Sequence, residues 1–399
     1  MKAVFMGLGY IGLPSAAVAA SKGIAVVGVD VNQEVVDTIN QGKIHIVEPE
    51  LDALVKAVVE KGSLKAALQP EEADAFFIVV PTPFKQNHRA DISFVESATR
   101  MVIPLLREGN LFVIESTSPV LTTEKMAELI FKERPELKNA LYIAYCPERV
   151  LPGNVLYELE HNDRVIGGLN PESADKAAAF YGQFVNGTLH KTNARTAEMC
   201  KLTENASRDV QIAFANELSM ICERSSINIW DLIELANKHP RVKILQPGCG
   251  VGGHCIAVDP WFIVSDFPEQ AQIIKRARET NDYKADWCAN RVLEACENFV
   301  RRMDTEPVVA CMGLAFKPDI DDLRESPAKY IVSRIISEAK ADVLVVEPNI
   351  KGHKTFNLTL YQDAYTQADI VVWLVRHKEF VHIPMDATKI ELDFCGVRK

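Results

Sequence analysis

The sequence predicts an α/β protein: an N-terminal Rossmann domain, a central domain built on a long connector and dimerisation helix, and a C-terminal Rossmann-like α/β domain. Three observations predict it. A strand, a glycine turn, a helix and a second strand open the chain; apolar runs alternate with helical patterns in both the first half and the last quarter; and a long stretch without glycine or proline lies between. The expected boundaries are 1–193, 194–304 and 305–399, and 399 residues at about 150 per domain leave room for three cores.

Residues 2–8 read as a strand, 10–22 as a helix closed by Gly23, and 24–30 as the next strand, which completes a βαβ unit. Runs at 75–80, 111–115, 141–146 and 163–166 are short and continuously apolar, as parallel strands buried on both faces are. Helical periodicity near 33–41, 50–61, 93–107, 122–133 and 171–184 separates them. From Ala194 to about Arg224, Leu202, Val210, Ile212, Phe214, Leu218 and Ile221 recur at helical spacing, which gives one helix of about eight turns. A glycine-rich loop at 246–254 precedes a helix from about 271 to 303. Strands at 308–312, 343–346 and 370–375, with a helix at 328–339, close the chain.

Composition narrows the function. Hydrophobic residues at 48% and charged residues at 25% are ordinary for a soluble globular chain. Lys and Arg number 44 against 54 Asp and Glu, a net charge of −10, so neither nucleic acid nor an anionic membrane is an expected partner. The nine cysteines are scattered, with no zinc-ligand spacing, which suits a reducing, cytoplasmic setting and no metal site. The uncharged stretch 3–21 imitates a signal peptide, but Gly7, Gly9, Gly12 and Pro14 suit a turn better than a leucine-rich core.

Gly7-Leu8-Gly9-Tyr10-Ile11-Gly12 follows a strand and opens a helix, the setting in which a pyrophosphate meets helix N-terminal amides. Asp30 ends the next strand 18 residues after Gly12, placed to accept the adenosine ribose hydroxyls and to repel a 2′-phosphate, so NAD is expected over NADP. Thr82 and Thr117 stand in turns after two further strands, at the carboxyl edge where such folds bind ligands. Cys255 follows four glycines and precedes a helical segment, a setting that lowers a thiol pKa; most cysteines are small buried hydrophobes, which suits the other eight better. On the long helix Glu198, Lys201, Asn205 and Arg208 share one face, which is either solvated or turned to a ligand.

The ordered motifs GLGYIGLP (7–14), VPTP (80–83), ESTSPV (115–120), YCPERVLPG (145–153), CKLTEN (200–205), GVGGHCIAVDP (250–260) and GLAFKPDIDDLRESPA (313–328) resemble the UDP-glucose/GDP-mannose dehydrogenase family over nearly the whole chain. IHIVEPEL (44–51), YCPERVLPG and residues 239–264 resemble its branch acting on UDP-N-acetyl-D-mannosamine. The resemblance implies two successive NAD-dependent oxidations of a sugar C6 alcohol to the carboxylate, through a thiohemiacetal and a thioester on cysteine. It implies Cys255 as nucleophile, Lys201 and Asn205 as stabilisers of oxygen charge, Asp259 with Thr117 in water ordering or proton transfer, and Glu148 as the base of thioester hydrolysis. Tyr10, Ile11, Asp30, Thr82, Thr117 and Arg324 are implied NAD contacts. Arg149, Val150, Lys201, Asn205, Arg208, His239, Arg241, Gly252 and Lys317 are implied UDP-sugar contacts. A homodimer is expected, with Arg241 completing the partner's site. The implied product is UDP-N-acetyl-D-mannosaminuronate, with UDP-N-acetyl-D-glucosamine as the alternative substrate; a simpler hydroxyacid dehydrogenase or a non-catalytic nucleotide-sugar binder would not need Cys255. Pro152, Cys249 and the tail 393–399 depart from the family pattern.

Overall fold

The computed structural model describes residues 1–85, 88–150 and 153–399, so Pro152 lies outside the described residues. The chain forms two compact units, Met1–Thr203 and Glu204–Lys399. The first is built on an eight-stranded sheet: β1 (Lys2–Met6), β2 (Ala25–Val29), β3 (Leu64–Ala67), β4 (Ala75–Ile78), β5 (Leu111–Ile114), β6 (Tyr142–Tyr145), β7 (Arg164–Gly168) and β8 (Leu189–Asn193). Their spatial order is β3-β2-β1-β4-β5-β6-β7-β8. The order reverses between β1 and β4, and the crevice at such a switch point is where open α/β sheets bind ligands.

Alternate residues of the central strands are buried on opposite faces, which is why these segments read as continuous apolar runs. Phe5 and Phe77 are register partners on one face and stack at 4.6 Å, while Val4, Phe76 and Phe112 belong to the core on the other. One expectation is corrected. The run at 163–166 does become a strand, but β7 pairs with β6 antiparallel, with Tyr145 opposite Gly167. Apolar content does not encode strand direction. Within this sheet the two strands that periodicity misses, β3 and β8, are its edges, where half-exposed segments such as Leu-His-Lys-Thr-Asn suffice.

Helix starts follow local chemistry. Asn32 and Asn170 accept amide hydrogen bonds at the heads of Gln33–Asn40 and Pro171–Tyr181. The first helix begins at Gly12 rather than residue 10, leaving Gly9 to Ile11 as turn.

The second unit holds a four-stranded parallel sheet, β9 (Val308–Met312), β10 (Asp342–Val346), β11 (Ile370–Trp373) and β12 (Ile390–Asp393), in the order β10-β9-β11-β12. The helix Ala194–Arg224 has the expected span and ends in this unit, where Gln272–Met303 packs beside it. Asp209 and Arg278, both essentially inaccessible, pair at 2.6 Å between these helices. Burial pushes the Asp209 carboxyl up, against the pull of Arg278. Asn281 donates to Asp209, and Asn216 donates to Asn281 while accepting the Gly248 amide at 2.9 Å, which ties the glycine-rich loop to both helices. Among the described residues no helix is long and apolar enough to cross a membrane.

Candidate active site

The three glycines after β1 occupy three different environments. Gly7 has φ +100°, and a Cβ there would lie 2.5 Å from the Val79 carbonyl oxygen; one on Gly12 would lie 1.9 Å from the Gly7 carbonyl oxygen. A Cβ on Gly9 would meet nothing within 4 Å. The outer glycines therefore close the turn onto β4 and the helix, and the middle one leaves backbone open to a ligand, which fits a pyrophosphate. Asp30 accepts the Leu8 amide at 3.1 Å and the Asn32 amide at 3.0 Å, which fixes its carboxylate beside the turn. Tyr10 is exposed and Ile11 half-buried. Thr82 and Thr117 are brought together, the Thr82 hydroxyl donating to the Thr117 carbonyl at 2.5 Å.

The segment after β6 is held from several sides. Glu148, 8% exposed, accepts the Arg149 amide at 2.7 Å and pairs with buried Arg164 at 2.9 Å. Lys201 donates to the Glu148 carbonyl at 2.8 Å, and Arg149 reaches the Asp163 carbonyl at 3.1 Å. Val150 packs against the core. Buried Glu48 accepts the Gly153 and Val155 amides at 2.9 and 2.8 Å, so its segment is fastened to residues 153–155. The polar face of the long helix is not solvated at its start. Glu198 is fully buried and caps the helix Thr122–Glu133, accepting the Leu121 and Thr123 amides at 2.7 and 2.8 Å; burial pushes its carboxyl up.

In the second unit Cys255 is half-buried on a turn whose carbonyl accepts the amides of Val258 and Asp259 at 3.0 and 2.8 Å. Buried Asp259 opens the helix Asp259–Asp266 and accepts from Asn205 Nδ2 at 2.6 Å. Cys255, Asp259 and Asn205 thus form one cluster. The neighbouring glycines are tightly packed. A Cβ on Gly252 would fall 2.6 Å from Phe316 and 2.7 Å from the Glu325 carbonyl, and Gly253 donates to the Arg324 carbonyl at 3.0 Å. What they approach closely is the segment 316–327. Arg208, His239, Arg241 and Lys317 are exposed, and the Arg324 guanidinium forks onto Asp322. After β9 the N-terminal turn is echoed: Gly313 has φ +104°, and Glu347 accepts the Leu314 amide as Asp30 accepts that of Leu8. Lys317 follows this second turn.

Three profiles of one family match in order: the NAD binding domain over residues 1–185, the central domain over 195–283 and the UDP binding domain over 310–395. The chain belongs to the UDP-glucose/GDP-mannose dehydrogenase family. It is an NAD-dependent UDP-sugar dehydrogenase. UDP-N-acetyl-D-mannosamine dehydrogenase of Campylobacter jejuni is 53% identical, covering 99% of each chain. NDP-N-acetyl-D-galactosaminuronic acid dehydrogenase of Ralstonia nicotianae is 54% identical over 98% of this chain and 95% of its own. The solved structure of UDP-D-ManNAc dehydrogenase from Pyrococcus horikoshii matches with a TM-score of 0.90 at 39% identity, covering 100% of this chain and 96% of that one.

The sequence reading missed Arg164, Glu48, Glu115 and Tyr181, which surround the enzyme's Glu148 segment. Arg164 heads β7 directly after Asp163, so no local pattern singles it or the others out.

Proposed function

We propose that this enzyme oxidises the C6 alcohol of UDP-N-acetyl-D-mannosamine to UDP-N-acetyl-D-mannosaminuronate through a covalent intermediate on Cys255. The observation that carries the reading is the cluster in which Asn205 holds Asp259 at 2.6 Å on the turn closed by the Cys255 carbonyl. NAD, when bound, takes a hydride from C6 in each of the two oxidations.

The residues divide the remaining work. Gly9 admits the pyrophosphate on the turn that Gly7 and Gly12 close, Asp30 takes the ribose hydroxyls, and Tyr10, Ile11, Thr82, Thr117 and Arg324 complete the cofactor contacts. The first oxidation leaves an aldehyde, and the Cys255 sulfur adds to its carbon with the proton ending on oxygen. Loss of the second hydride and the hydroxyl proton turns this thiohemiacetal into a thioester. Water then cleaves the C–S bond, giving the carboxylate and restoring the thiol. Lys201 and Asn205 supply donors to the oxygen as charge develops, Asp259 with Thr117 orders the water, and Glu148 assists its attack. Arg149, Val150, Arg208, His239, Arg241, Gly252 and Lys317 hold the UDP-sugar, the cations opposing its diphosphate. The enzyme acts as a cytoplasmic homodimer in which Arg241 serves the partner's site.

The choice of hexosamine rests on the segments 44–51, 145–153 and 239–264 and on the names of relatives. The Ralstonia relative favours a galacto-configured sugar as the second reading. Measuring kcat/KM on the UDP-linked N-acetylmannosamine, N-acetylglucosamine, N-acetylgalactosamine and glucose, with product masses, decides between them. The manno substrate is expected to lead, and a higher value for any other sugar replaces it. A site that hydrogen-bonds the acetamido group discriminates by up to several orders of magnitude.

A further inference from the structure

Beneath Glu148 lies a buried polar cluster with no part in the reaction described so far. Arg164 on β7 is 4% exposed; its Nη2 pairs with Glu148 Oε2 at 2.9 Å and its Nη1 faces the Cys146 sulfur at 3.9 Å. The guanidinium stacks over the Tyr181 ring at 4.8 Å, and the Tyr181 hydroxyl donates to Glu115 Oε1 at 2.5 Å. Tyr181 and Glu115 are 1% and 4% exposed, and Glu115 Oε2 has no hydrogen-bond partner among the described residues.

Such a cluster is expensive to desolvate, and apolar residues of similar volume would serve stability at least as well. Its geometry does something packing cannot. Glu148 sits on the irregular segment after β6, and a short carboxylate on a loop has freedom that the Arg149 amide alone does not remove. The guanidinium, planar, stacked over the Tyr181 face and carried by a rigid strand, sets a positive charge 2.9 Å from the second carboxylate oxygen. This is an ion pair rather than a hydrogen bond, since that oxygen has no hydrogen-bond partner among the described residues and Nη2 donates to the Leu159 carbonyl at 3.5 Å. Burial pushes Glu115 up to about 7, although Arg164 pulls it down, so near neutral pH a large share of Glu115 is uncharged and Glu148 faces less competition for the cation.

We propose that Arg164, braced by Tyr181 and Glu115, is a positioning residue for Glu148 and sets the rate of acyl-enzyme hydrolysis. The inference rests on the reading that Glu148 assists that hydrolysis. The test is pre-steady-state NADH release with mass measurement of the intact protein, on folded full-length Arg164→Met, Arg164→Lys, Glu148→Gln and the double variant Glu148→Gln/Arg164→Met. For Arg164→Met the expected result is a burst of two NADH per site at near wild-type rate, then turnover slowed on the order of 100-fold, with the acyl group on Cys255. Arg164→Lys recovers part of the rate, and the double variant is no slower than Glu148→Gln. If Arg164→Met does not fold, Arg164→Gln, which keeps a donor and drops the charge, carries the same expectation. Slow Glu148→Gln beside wild-type hydrolysis in the Arg164 variants overturns the positioning role alone. Wild-type hydrolysis in Glu148→Gln overturns the Glu148 assignment and this inference with it. A burst slowed as much as turnover, with no rescue by lysine, reduces Arg164 to support of the fold and also overturns the proposal.

Discussion

At the scale of single residues, charge and its placement decide the outcomes. Each Asp30 oxygen accepts a backbone amide, so its carboxylate is fixed beside the glycine turn, and in the proposed cofactor placement it opposes a 2′-phosphate. Asp30→Ala is expected to narrow the NAD over NADP preference by roughly tenfold or more, the worth of a hydrogen bond to a charged group. Comparing kcat/KM for both cofactors checks it, and an unchanged ratio removes Asp30 from cofactor choice. Glu115 offers a test in stability. Its folded pKa, about 7, lies above the ordinary 4.5, so the folded state binds the extra proton between those values. The stabilisation is complete below the unfolded value and is lost as pH rises through about 7. Wild type should therefore lose on the order of 3 kcal/mol relative to Glu115→Gln between about pH 4.5 and pH 8, measured by urea unfolding. Parallel pH slopes for the two proteins would show that Glu115 ionises without penalty. The glycine fingerprint, Asp30 and Cys255 were legible because their spacing is local. Arg164, Tyr181, Glu115 and Glu48 were not, since each meets its partner only after distant segments are folded together, as Glu48 does with Gly153 across 105 positions.

Among elements, the turn after β1 separates packing from binding within a few residues. Gly12→Ala would drive a methyl group into the Gly7 carbonyl, and a cost of about 1–3 kcal/mol is expected from overpacking against backbone. Gly9→Ala meets open space and should leave stability within about 0.5 kcal/mol while weakening NAD binding. Denaturation curves with NAD titration distinguish the two, and equal destabilisation would mean that both glycines serve the fold. The long helix was legible because 31 residues without a breaker admit one reading. The antiparallel turn of β7 against β6 was not, because side-chain pattern is the same in either direction. Short edge strands escaped for a related reason: β8 has no buried face strong enough to show a period.

For the whole molecule, the two long helices carry exposed apolar side chains, Phe214 and Ile221 on one and Ile273 and Tyr283 on the other, each more than half exposed. Surfaces of this kind suit a partner subunit. Light scattering at assay concentration is expected to give a dimer, and an active monomer would remove both the interface and the role of Arg241 in the partner's site. A four-electron oxidation carried out on one cysteine fixes the stoichiometry, which is read by counting NADH against uronate formed from UDP-N-acetyl-D-mannosamine. The expected result is two NADH per uronate, no free aldehyde, and no uronate from Cys255→Ala although that variant still binds the nucleotide sugar. One NADH per sugar with aldehyde released, or uronate from Cys255→Ala at near wild-type rate, would contradict it.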